Sequence, residues 1–377
     1  MSALLPPATI GIIGGGQLGM MTVREAQRMG YRTVVWDPDP GCPASRLADD
    51  TIVAPFDDPH AATILIDNSD IVTYEFENVD SAAVERVEQS TTVYPGSRIL
   101  KIAQHRRKEK EELHTRGFPV VKHAVATKPD ELSAAVSTVQ LPVVVKTTTA
   151  GYDGKGQAVL RTQGEMETFL KEHINGTREF IVEQFVELAF ELSCIAVRSN
   201  TGEVVAYPIS ENTHRNNILH KTFVPARVSE ALLKQALELG TSIIESFGMV
   251  GVLCVEMFVT KGGALLVNEL APRPHNSGHY SLDATTCSQF EALVRAVCGL
   301  TVPEPRLLAP CAMVNLLGKH LERVKVPELV RMPGVKLHLY GKKRIEPNRK
   351  MGHVTVLGKT PVEVDQLVKQ VEYMIGE

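Results

Sequence analysis

Several patterns that mark specialised classes of protein are missing from this sequence. Its six cysteines form no CxxC pair and no Cys/His cluster with zinc spacing, so we expect reduced thiols and no zinc site. Lysine and arginine total 40 against 44 aspartates and glutamates, which argues against a broadly basic nucleic-acid surface. The first residues show no basic segment followed by a long apolar run, which argues against secretion and membrane insertion. We therefore expect a cytoplasmic protein without nucleic-acid or membrane partners.

The amino-acid composition is that of an ordinary globular protein. The 377 residues are 44 % hydrophobic, which supplies enough apolar side chains for a sizeable core and excludes overall disorder. At roughly 150 residues per domain, this length predicts two or three domains. The sequence shows no internal repeat and no low-complexity tract.

The first hundred residues alternate short apolar runs with helical patterns. An apolar run at 10–13 meets a glycine cluster, a helical pattern follows, and a second strand is predicted over 31–36. Further strands are predicted over 70–74 and 93–95, with a helix over 82–89 between them. Strands that alternate with helices in this way predict an open α/β domain over residues 1–104.

The rest of the chain changes character twice. Residues 104–117 predict a strongly charged helix, which we expect to link domains on a solvated face. A small α/β segment follows, with strands near 143–146 and 180–184. Strands then dominate over 191–199, 204–210, 251–259 and 264–270, with helices over 230–247 and 362–375.

A glycine cluster at residues 14–19, GGGQLG, forms the first candidate site. Asp37 follows about twenty residues later, as in dinucleotide-binding proteins, where an acid contacts the ribose. The same turn suits a phosphate group of another substrate, because a helix N-terminus presents free N–H groups. It also allows close packing of helix against strand, and the residues alone leave these three interpretations open.

Lys146 and the glycine-rich residues 151–157 form the second candidate site. A lysine fixed on a strand can neutralise phosphates, and a glycine loop can fold over the γ-phosphate and exclude water. This pattern differs from the P-loop, whose lysine stands at the start of a helix. The alternative is an ordinary glycine-rich hairpin.

Acidic residues mark two further segments. An extended segment at 183–186 followed by Glu191 could read an adenine edge and accept ribose hydroxyls, or could be an edge strand with solvated acids. Glu256 and Glu269 each lie inside an otherwise apolar strand, where an unpartnered charge is costly. Neighbouring strands would bring both carboxylates and Asn268 together as hard oxygen ligands for Mg²⁺. The alternative is a salt bridge to a core arginine.

Two basic segments complete the candidate residues. The loop RPHNSGH at 273–279 projects a guanidinium, an imidazole and an amide, a set that suits a small oxyanion. Lys342, Arg349 and Lys350 cluster late in the chain, either as a site for a phosphate ester or as a solvated charge run.

In this order the motifs resemble the ATP-grasp superfamily and, within it, the 5-(carboxyamino)imidazole ribonucleotide synthase family. The sequences that carry the resemblance are GGGQLG at 14–19, YEFENV at 74–79, TAGYDGKGQ at 149–157, HRNNILH at 214–220 and NELAPRPHNSGH at 268–279. The resemblance implies an ATP-grasp fold, α/β and α+β. Its parts would be an open α/β (pre-ATP-grasp) domain over 1–104, a small mobile lid over 105–182 and a C-terminal α+β domain over 183–377. A β-rich lobe would begin at about residue 305.

The resemblance also implies a reaction. ATP and bicarbonate would form carboxyphosphate, which would carboxylate 5-aminoimidazole ribonucleotide in de novo purine biosynthesis, leaving ADP and phosphate. The implied cofactors are ATP and Mg²⁺, and the implied assembly is a homodimer. Because the intermediate and the product are labile in water, we expect a lid that closes over the site.

The resemblance assigns roles to particular residues. The nucleotide would be held by Arg106, Lys146, Gly151, Tyr152, Asp153, Gly154, Lys155, Gly156, Gln157, Glu183, Gln184, Phe185, Val186, Glu191, His214, Asn268 and Glu269. Glu256 and Glu269 would bind two Mg²⁺ ions. The ribonucleotide and bicarbonate would be held by Gln17, Leu18, Glu75, Arg273, His275, Asn276, Lys342, Arg349 and Lys350. Catalytic roles would fall to Asp153 as proton acceptor, Tyr152, Arg273, His275 and Lys342.

Other functions compete with this interpretation. A formate-dependent phosphoribosylglycinamide formyltransferase, or another ATP-grasp carboxylate ligase, would share the glycine turn and the RPH loop. An NAD-dependent oxidoreductase would use the glycine turn and Asp37 but leaves Lys146 and the pair Glu256 and Glu269 unexplained. A nucleotide sensor would bind ATP without turnover.

Overall fold

Three β-sheets, each packed against helices, organise the chain. The computed structural model describes residues 3–149, 156–173 and 178–377. The strands in these residues are β1 Thr9–Ile13, β2 Arg32–Trp36, β3 Asp50–Ile52, β4 Ile71–Tyr74, β5 His123–Ala126, β6 Val143–Thr147, β7 Gln157–Leu160, β8 Phe180–Gln184, β9 Leu188–Arg198, β10 Val204–Ala206, β11 Ser210–Arg215, β12 Ile218–Val224, β13 Gly251–Thr260, β14 Leu265–Ala271, β15 Cys311–Leu317, β16 Val335–Leu339 and β17 Lys350–Leu357. The helices are α1 Gln17–Arg28, α2 Pro59–Asp67, α3 Ser81–Glu88, α4 Ser97–Ala103, α5 Arg106–Thr115, α6 Leu132–Val139, α7 Gln163–His173, α8 Glu230–Phe247, α9 Ser281–Ala284, α10 Gln289–Val297, α11 Val326–Leu329 and α12 Pro361–Met374. Among these described helices, none combines the length and apolar character that crossing a bilayer requires.

The first sheet is parallel and follows the order β3-β2-β1-β4. Ile12 and Ile13 of β1 pack into two different apolar clusters, as expected for a parallel strand covered on both faces. The open α/β arrangement predicted for this region is therefore present. The strand predicted over 93–95 is wrong: Val93 makes only an isolated bridge to Val72, because the chain enters helix α4 at Ser97 before a second pair can form.

The second sheet, which we call the lid sheet, contains β5, β8, β6 and β7 in that order. All neighbouring strands in it are antiparallel. Val143, Val145 and Val182 form its apolar cluster together with side chains of α6 and α7. Residues 185–187 connect β8 to the third sheet. The lid sheet therefore has a core of its own and a short connection to its neighbour.

The third sheet follows the order β14-β13-β9-β11-β12-β15-β17-β16, with β10 paired to β9. Because β12 pairs with β15, the last part of the chain belongs to the same sheet as the strands before it. The strand predicted over 204–210 is interrupted, since β10 ends at Ala206 and β11 begins at Ser210. Pro208 lies between them and cannot donate a ladder hydrogen bond.

Helix α8 shows how local sequence fixes the elements that pack on this sheet. The Ser229 hydroxyl accepts a hydrogen bond from the Leu232 N–H at its start, and Gly248 adopts a left-handed conformation, φ 61°, at its end. The helix predicted over 230–247 is confirmed, and α12 lies within one residue of its predicted bounds.

Helix α5 contradicts the expectation of a charged helix on a solvated face. Its residues Glu109, Lys110 and Leu113 are buried. The helix packs against α4 and β14, and Lys110 and Glu109 hydrogen-bond to the backbone of β14, whereas Lys108 on the other side of the helix stays exposed. The charged residues of a helix do not by themselves show which of its faces is exposed, because that depends on the groups they contact. Here those groups lie in distant parts of the sequence.

Candidate active site

A cleft of about 340 Å³ lies where the lid sheet, α5 and the third sheet meet. Many residues that the sequence singles out line it. They are Arg106, Lys146, Gln157, Glu191, His214, Glu256, Asn268, Glu269, Arg273, His275, Asn276 and Lys350. Glu77, Glu109 and Asn217 also line the cleft, although the sequence analysis gives them no role.

The two acids inside apolar strands are direct neighbours. Glu256 of β13 and Glu269 of β14 are opposite each other in the antiparallel register. Glu256 Oε1 lies 3.1 Å from His275 Nε2, and Glu269 Oε2 lies 3.3 Å from Arg106 Nη1. Burial opposes ionisation of Glu256, but the hydrogen bond and charge of His275 outweigh it and hold the pKa of this carboxyl well below its usual range. Glu256 is therefore ionised at neutral pH.

A β-bulge explains how two consecutive residues of β14 face the same cleft. The register passes from Glu256 opposite Glu269 to Met257 opposite Val267, so Asn268 is an extra residue on β14. In a regular strand, successive side chains point to opposite faces, yet Asn268 and Glu269 both line the cleft. The bulge thus gathers one amide and two carboxylates, a set of hard oxygen donors that fits Mg²⁺.

Lys146 reaches the cleft from the lid sheet. Its Nζ lies 2.5 Å from Glu183 Oε2 on the neighbouring strand β8. Burial opposes ionisation of Glu183, but the charges of Lys146 and Lys110 prevail and lower its pKa to about 2. The carboxylate of Glu183 is thus committed to the lysines.

The segment after Glu183 uses its N–H groups inside the lid sheet. The N–H of Gln184 donates to the Lys122 carbonyl at 2.9 Å, and that of Phe185 donates to the Pro142 carbonyl at 3.0 Å. Gln184 is exposed, while Phe185 and Val186 are half-buried. The N–H groups of Gln184 and Phe185 already donate hydrogen bonds within the protein. They are therefore not available to donate to an adenine base.

Glu191 and His214 meet across two paired strands. Glu191 Oε2 lies 2.7 Å from His214 Nδ1. Burial lowers the pKa of His214, but the hydrogen bond and charge of Glu191 outweigh burial and raise it above its usual value. Asn216 and Asn217 adopt left-handed conformations, φ 51° and 62°, in the turn between β11 and β12, which brings His214 and Asn217 to the cleft.

The loop after β14 is fixed by contacts of each of its polar side chains. Arg273 forms an ion pair with the half-buried Glu77. Desolvation would raise the pKa of this carboxyl, but the charge of Arg273 prevails and lowers it to about 2. His275 Nδ1 lies 2.8 Å from the Ser277 hydroxyl. The amide of Asn276 exchanges two hydrogen bonds with Asn315. The sequence signal for Glu77 is present in the motif YEFENV, where it follows Glu75 by two residues.

The glycine turn at the start of α1 is closed by acids of the chain itself. Glu75 accepts hydrogen bonds from the N–H groups of Gly16 and Gly19, both at 2.6 Å. Asp37 accepts from the Gly15 N–H at 2.7 Å. These N–H groups are the ones that a pyrophosphate would need, so the geometry gives no support to the dinucleotide interpretation. Gln17 and Leu18 begin the helix immediately after this turn.

Lys342, Arg349 and Lys350 of the late basic segment are partly buried, and Lys342 lies close to Glu75 at the glycine turn, while residues 343–348 are exposed. Lys342 Nζ donates to the Lys350 carbonyl at 3.0 Å, and Lys350 also lines the cleft. Burial and the neighbouring charge of Arg349 lower the pKa of Lys342 to about 8, while Glu75 opposes this effect. We call Glu75, Lys342, Arg349 and Lys350 the basic side of the site. We call the acids Glu183, Glu191, Glu256 and Glu269, with their cation partners, the paired side.

A second group of possible metal ligands lies near the basic side. Donor atoms of Asp283, His338 and His353 lie within 4.8 Å of one another. His338 Nε2 is 2.8 Å from Asp283 Oδ2, and Tyr340 Oη is 2.9 Å from His353 Nδ1. The two imidazole rings are stacked at 4.4 Å with 8° between their planes. Parallel rings direct their nitrogens side by side rather than toward one ion, so these residues form a hydrogen-bonded stack that supports β16 and β17.

Part of the predicted glycine loop is described and part is not. Gly151, Tyr152, Asp153, Gly154 and Lys155 lie outside the described residues. The next residue, Gly156, has φ 73°, and its carbonyl accepts a hydrogen bond from the Thr147 N–H at 2.8 Å. Gln157 pairs with Lys146 in the lid sheet and lines the cleft.

Three family models match successive parts of the chain. A ribonucleotide synthetase pre-ATP-grasp domain matches residues 7–104, and an ATP-grasp domain matches residues 111–290. A phosphoribosylaminoimidazole carboxylase C-terminal domain matches residues 311–367.

Named relatives and solved structures agree with these matches. The N5-carboxyaminoimidazole ribonucleotide synthase of Bacillus subtilis is 45 % identical over 94 % of this chain and 92 % of its own length. The ADP-complexed synthetase from Staphylococcus aureus has a TM-score of 0.93 at 38 % identity, covering 100 % of this chain and 99 % of that one. An Aspergillus clavatus synthase in complex with ADP and 5-aminoimidazole ribonucleotide has a TM-score of 0.88 at 29 % identity, covering 98 % of each chain.

Proposed function

Because the chain belongs to the N5-carboxyaminoimidazole ribonucleotide synthase family, we infer that it is an ATP-dependent ligase of purine biosynthesis. It carboxylates 5-aminoimidazole ribonucleotide to N5-carboxyaminoimidazole ribonucleotide. The observation that carries this conclusion is the cleft itself. One cleft is lined by two side chains able to bind phosphate, Lys146 and Arg106, and by the acids Glu256 and Glu269. Lys350 of the basic side lines the same cleft.

We propose that bicarbonate is the source of the carboxyl group. An oxygen of bicarbonate attacks the γ-phosphorus of ATP, the bond to the β-phosphate oxygen breaks, and ADP leaves. The carboxyphosphate that results is a mixed anhydride. The exocyclic amine attacks its carbon, or that of CO₂ released from it, and inorganic phosphate departs. Both steps require that water be excluded, because water would compete with bicarbonate for the γ-phosphorus in the first step and with the amine for the carbon in the second.

The roles of the nucleotide-binding residues follow from their charges. Lys146 and Arg106 are proposed to bind phosphate oxygens, and Arg273 and His275 are proposed to bind the oxygens of bicarbonate. Glu256 and Glu269 are proposed to hold Mg²⁺, which would screen the phosphate oxygens during transfer. Glu191 and His214, with the segment after Glu183, are proposed to hold the adenosine.

The acceptor is proposed to bind against the glycine turn. Lys342, Arg349 and Lys350 supply positive charge for its phosphate. Gln17 and Leu18 begin α1 beside them, and Glu75 would accept hydrogen bonds from hydroxyl groups. The proton that the amine loses is proposed to pass to Asp153, with Tyr152 orienting the amine.

Organisation at a larger scale is proposed on the ground of family membership. The units are an N-terminal domain over 1–104, a lid over 105–182, and a C-terminal domain over 183–377. The lid sheet, with its own apolar cluster, supports the second of these units. We further propose a homodimer in the cytoplasm, which sedimentation of the purified protein and fractionation of cells would test.

The function is tested by coupled ADP release with MgATP and bicarbonate, with and without 5-aminoimidazole ribonucleotide. A parallel reaction contains formate and glycinamide ribonucleotide. We expect stimulation by the aminoimidazole and no effect of the second pair. Lys146→Met should abolish the stimulation, whereas Lys122→Met, which alters an exposed lysine near the same sheet, should preserve it. Stimulation in the parallel reaction alone would move the substrate assignment to the formyltransferase.

A further inference from the structure

The bulge at Asn268 lies on a strand that needs help to keep its shape. Strand β14 is the last in the order of the third sheet, so one row of its backbone groups has no neighbouring strand within that sheet. A bulge additionally removes one residue from the ladder. On this outer edge Val267 makes an isolated bridge to Val120 and its N–H donates to the Pro119 carbonyl at 2.7 Å, but the residues at the bulge itself need further contacts to hold their conformation.

Two consecutive residues of α5 supply that stabilisation. Lys110 Nζ donates to the Val267 carbonyl at 3.2 Å and also to the Asn268 carbonyl. Glu109 Oε1 accepts a hydrogen bond from the Leu270 N–H at 2.7 Å. These bonds lie immediately before and after Glu269. Helix α5 thus holds the backbone on both sides of this acid.

Lys110 also connects this strand to the lysine of the lid sheet. Its Nζ lies 3.8 Å from Glu183 Oε1, while the other oxygen of Glu183 contacts Lys146. The Lys110 side chain is only 1 % exposed, so its charge has lost almost all of its hydration. Replacing a whole buried ion pair by apolar residues of similar volume is often neutral or stabilising, whereas removing one partner alone is destabilising. A buried lysine here is therefore better explained by positioning than by stability.

We propose that Lys110, assisted by Glu109, is a positioning residue that locks the Asn268 bulge and so presents Glu269 to the metal ion. Neither residue needs to touch the substrate for this role. Substitution of residues that orient a metal ligand typically costs about 10–100-fold in metal affinity. Loss of Lys110 should therefore appear in how strongly Mg²⁺ improves nucleotide binding. This inference rests on the proposed function, because it assumes a Mg²⁺-nucleotide at Glu269.

The test is calorimetric binding of ADP in EDTA and again in excess Mg²⁺, for the wild type and for Lys110→Met. The ratio of the two affinities measures the contribution of the metal. We expect this ratio to fall about tenfold in Lys110→Met, while affinity in EDTA changes much less. Lys108→Met removes an exposed lysine from the same helix and should leave the ratio unchanged. Glu109→Gln keeps an oxygen acceptor for Leu270 and should also preserve most of the ratio.

The possible results distinguish failure of this inference from failure of the proposed function. An unchanged ratio in Lys110→Met would overturn the inference, even if the variant melts at a lower temperature or contains less competent protein. Absence of aminoimidazole-dependent ADP release in the wild type would instead refute the proposed function. If Lys110→Met does not fold, the variant Lys110→Met/Glu183→Gln removes both buried charges and is compared with Glu183→Gln alone. Equal ratios in that comparison would also overturn the inference.

Discussion

The paired side and the basic side of the cleft treat charge in opposite ways. On the paired side, Glu183, Glu191, Glu256 and Glu269 each have a basic side chain of the chain within 3.3 Å. On the basic side, Lys342 lies among other cations, and burial together with Arg349 lowers its pKa to about 8. One region is internally neutralised, whereas the other holds an excess of positive charge.

This difference indicates how each region would accept an anion. A triphosphate that approaches the paired side must separate Lys146 and Arg106 from their acids, and those acids then need another cation. We therefore expect metal and nucleotide to bind together. The phosphates would take Lys146 and Arg106 from their acids, and the metal ion would replace these cations beside the acids. On the basic side, a bound phosphate ester would reduce the repulsion between Lys342 and Arg349.

The largest expected effect breaks the paired side. Glu269→Gln should lower kcat on the order of 10²–10³-fold, since it removes one anionic ligand proposed for the metal and several kcal/mol of transition-state stabilisation. The KM for 5-aminoimidazole ribonucleotide should change little. Steady-state ADP release checks both values. Glu203→Gln, which alters an exposed acid beside the same sheet, is the control. If only the KM for the ribonucleotide changed, Glu269 would act in ribonucleotide binding, and the proposed division between the paired side and the basic side would be wrong.

The next effect concerns the basic side. Lys342→Met should raise the KM for 5-aminoimidazole ribonucleotide by about 10–100-fold, because a hydrogen bond to a charged group contributes roughly 1.5–3 kcal/mol. The kcat at saturation should stay within about threefold of the wild type. Initial rates over a range of ribonucleotide concentrations give both constants. Lys343→Met removes the adjacent, exposed lysine and should leave KM unchanged.

The protonation of Lys342 predicts a pH dependence of moderate size. Its pKa is about 8, so the lysine is charged below this pH and becomes neutral above it. Only the charged form attracts the phosphate. The kcat/KM for the ribonucleotide should therefore fall about tenfold per pH unit above the pKa. The same profile for Lys342→Met should lack this inflection. A wild-type profile that stays flat through pH 9 would contradict the prediction.

The smallest effect distinguishes two adjacent arginines. Arg106 contacts Glu269 in the cleft, whereas Arg107 Nη1 lies 3.1 Å from Glu179 Oε1. A partly exposed ion pair contributes at most about 1 kcal/mol, so Arg107→Gln should change kcat/KM for ATP by about twofold or less. Arg106→Gln should have a much larger effect in the same assay. If both substitutions had equal effects, the contact with Glu269 would not identify which of the two arginines binds the nucleotide.

The parts of the fold that the sequence predicts are those set by neighbouring residues. Strand β1, helix α8 and the two strands β13 and β14 all follow from local periodicity and from caps or turns. The proximity of Glu256 to Glu269 follows as well, because each acid interrupts an apolar strand.

Features that depend on distant partners could not be predicted. The bulge at Asn268 appears only when β14 is aligned with β13, since a single strand carries no mark of its register. The burial of Glu109 and Lys110 depends on groups about 160 residues away in sequence, at Val267 and Leu270. Charge patterning along α5 predicts solvent exposure whenever such partners are unknown.

The continuous pairing of strands from β14 to β16 has a mechanical consequence. Sliding the strand that carries Glu269 against the strand that carries Lys350 would break backbone hydrogen bonds along a whole ladder. The lid sheet forms a separate sheet, and residues 185–187 can act as its hinge. Glu256, Glu269 and Lys350 all lie on strands of the third sheet, so we expect them to keep their relative positions when the lid sheet rotates about this hinge. Such a rotation would let nucleotide exchange without changing the spacing between the acids proposed for the metal and the lysine proposed for the ribonucleotide.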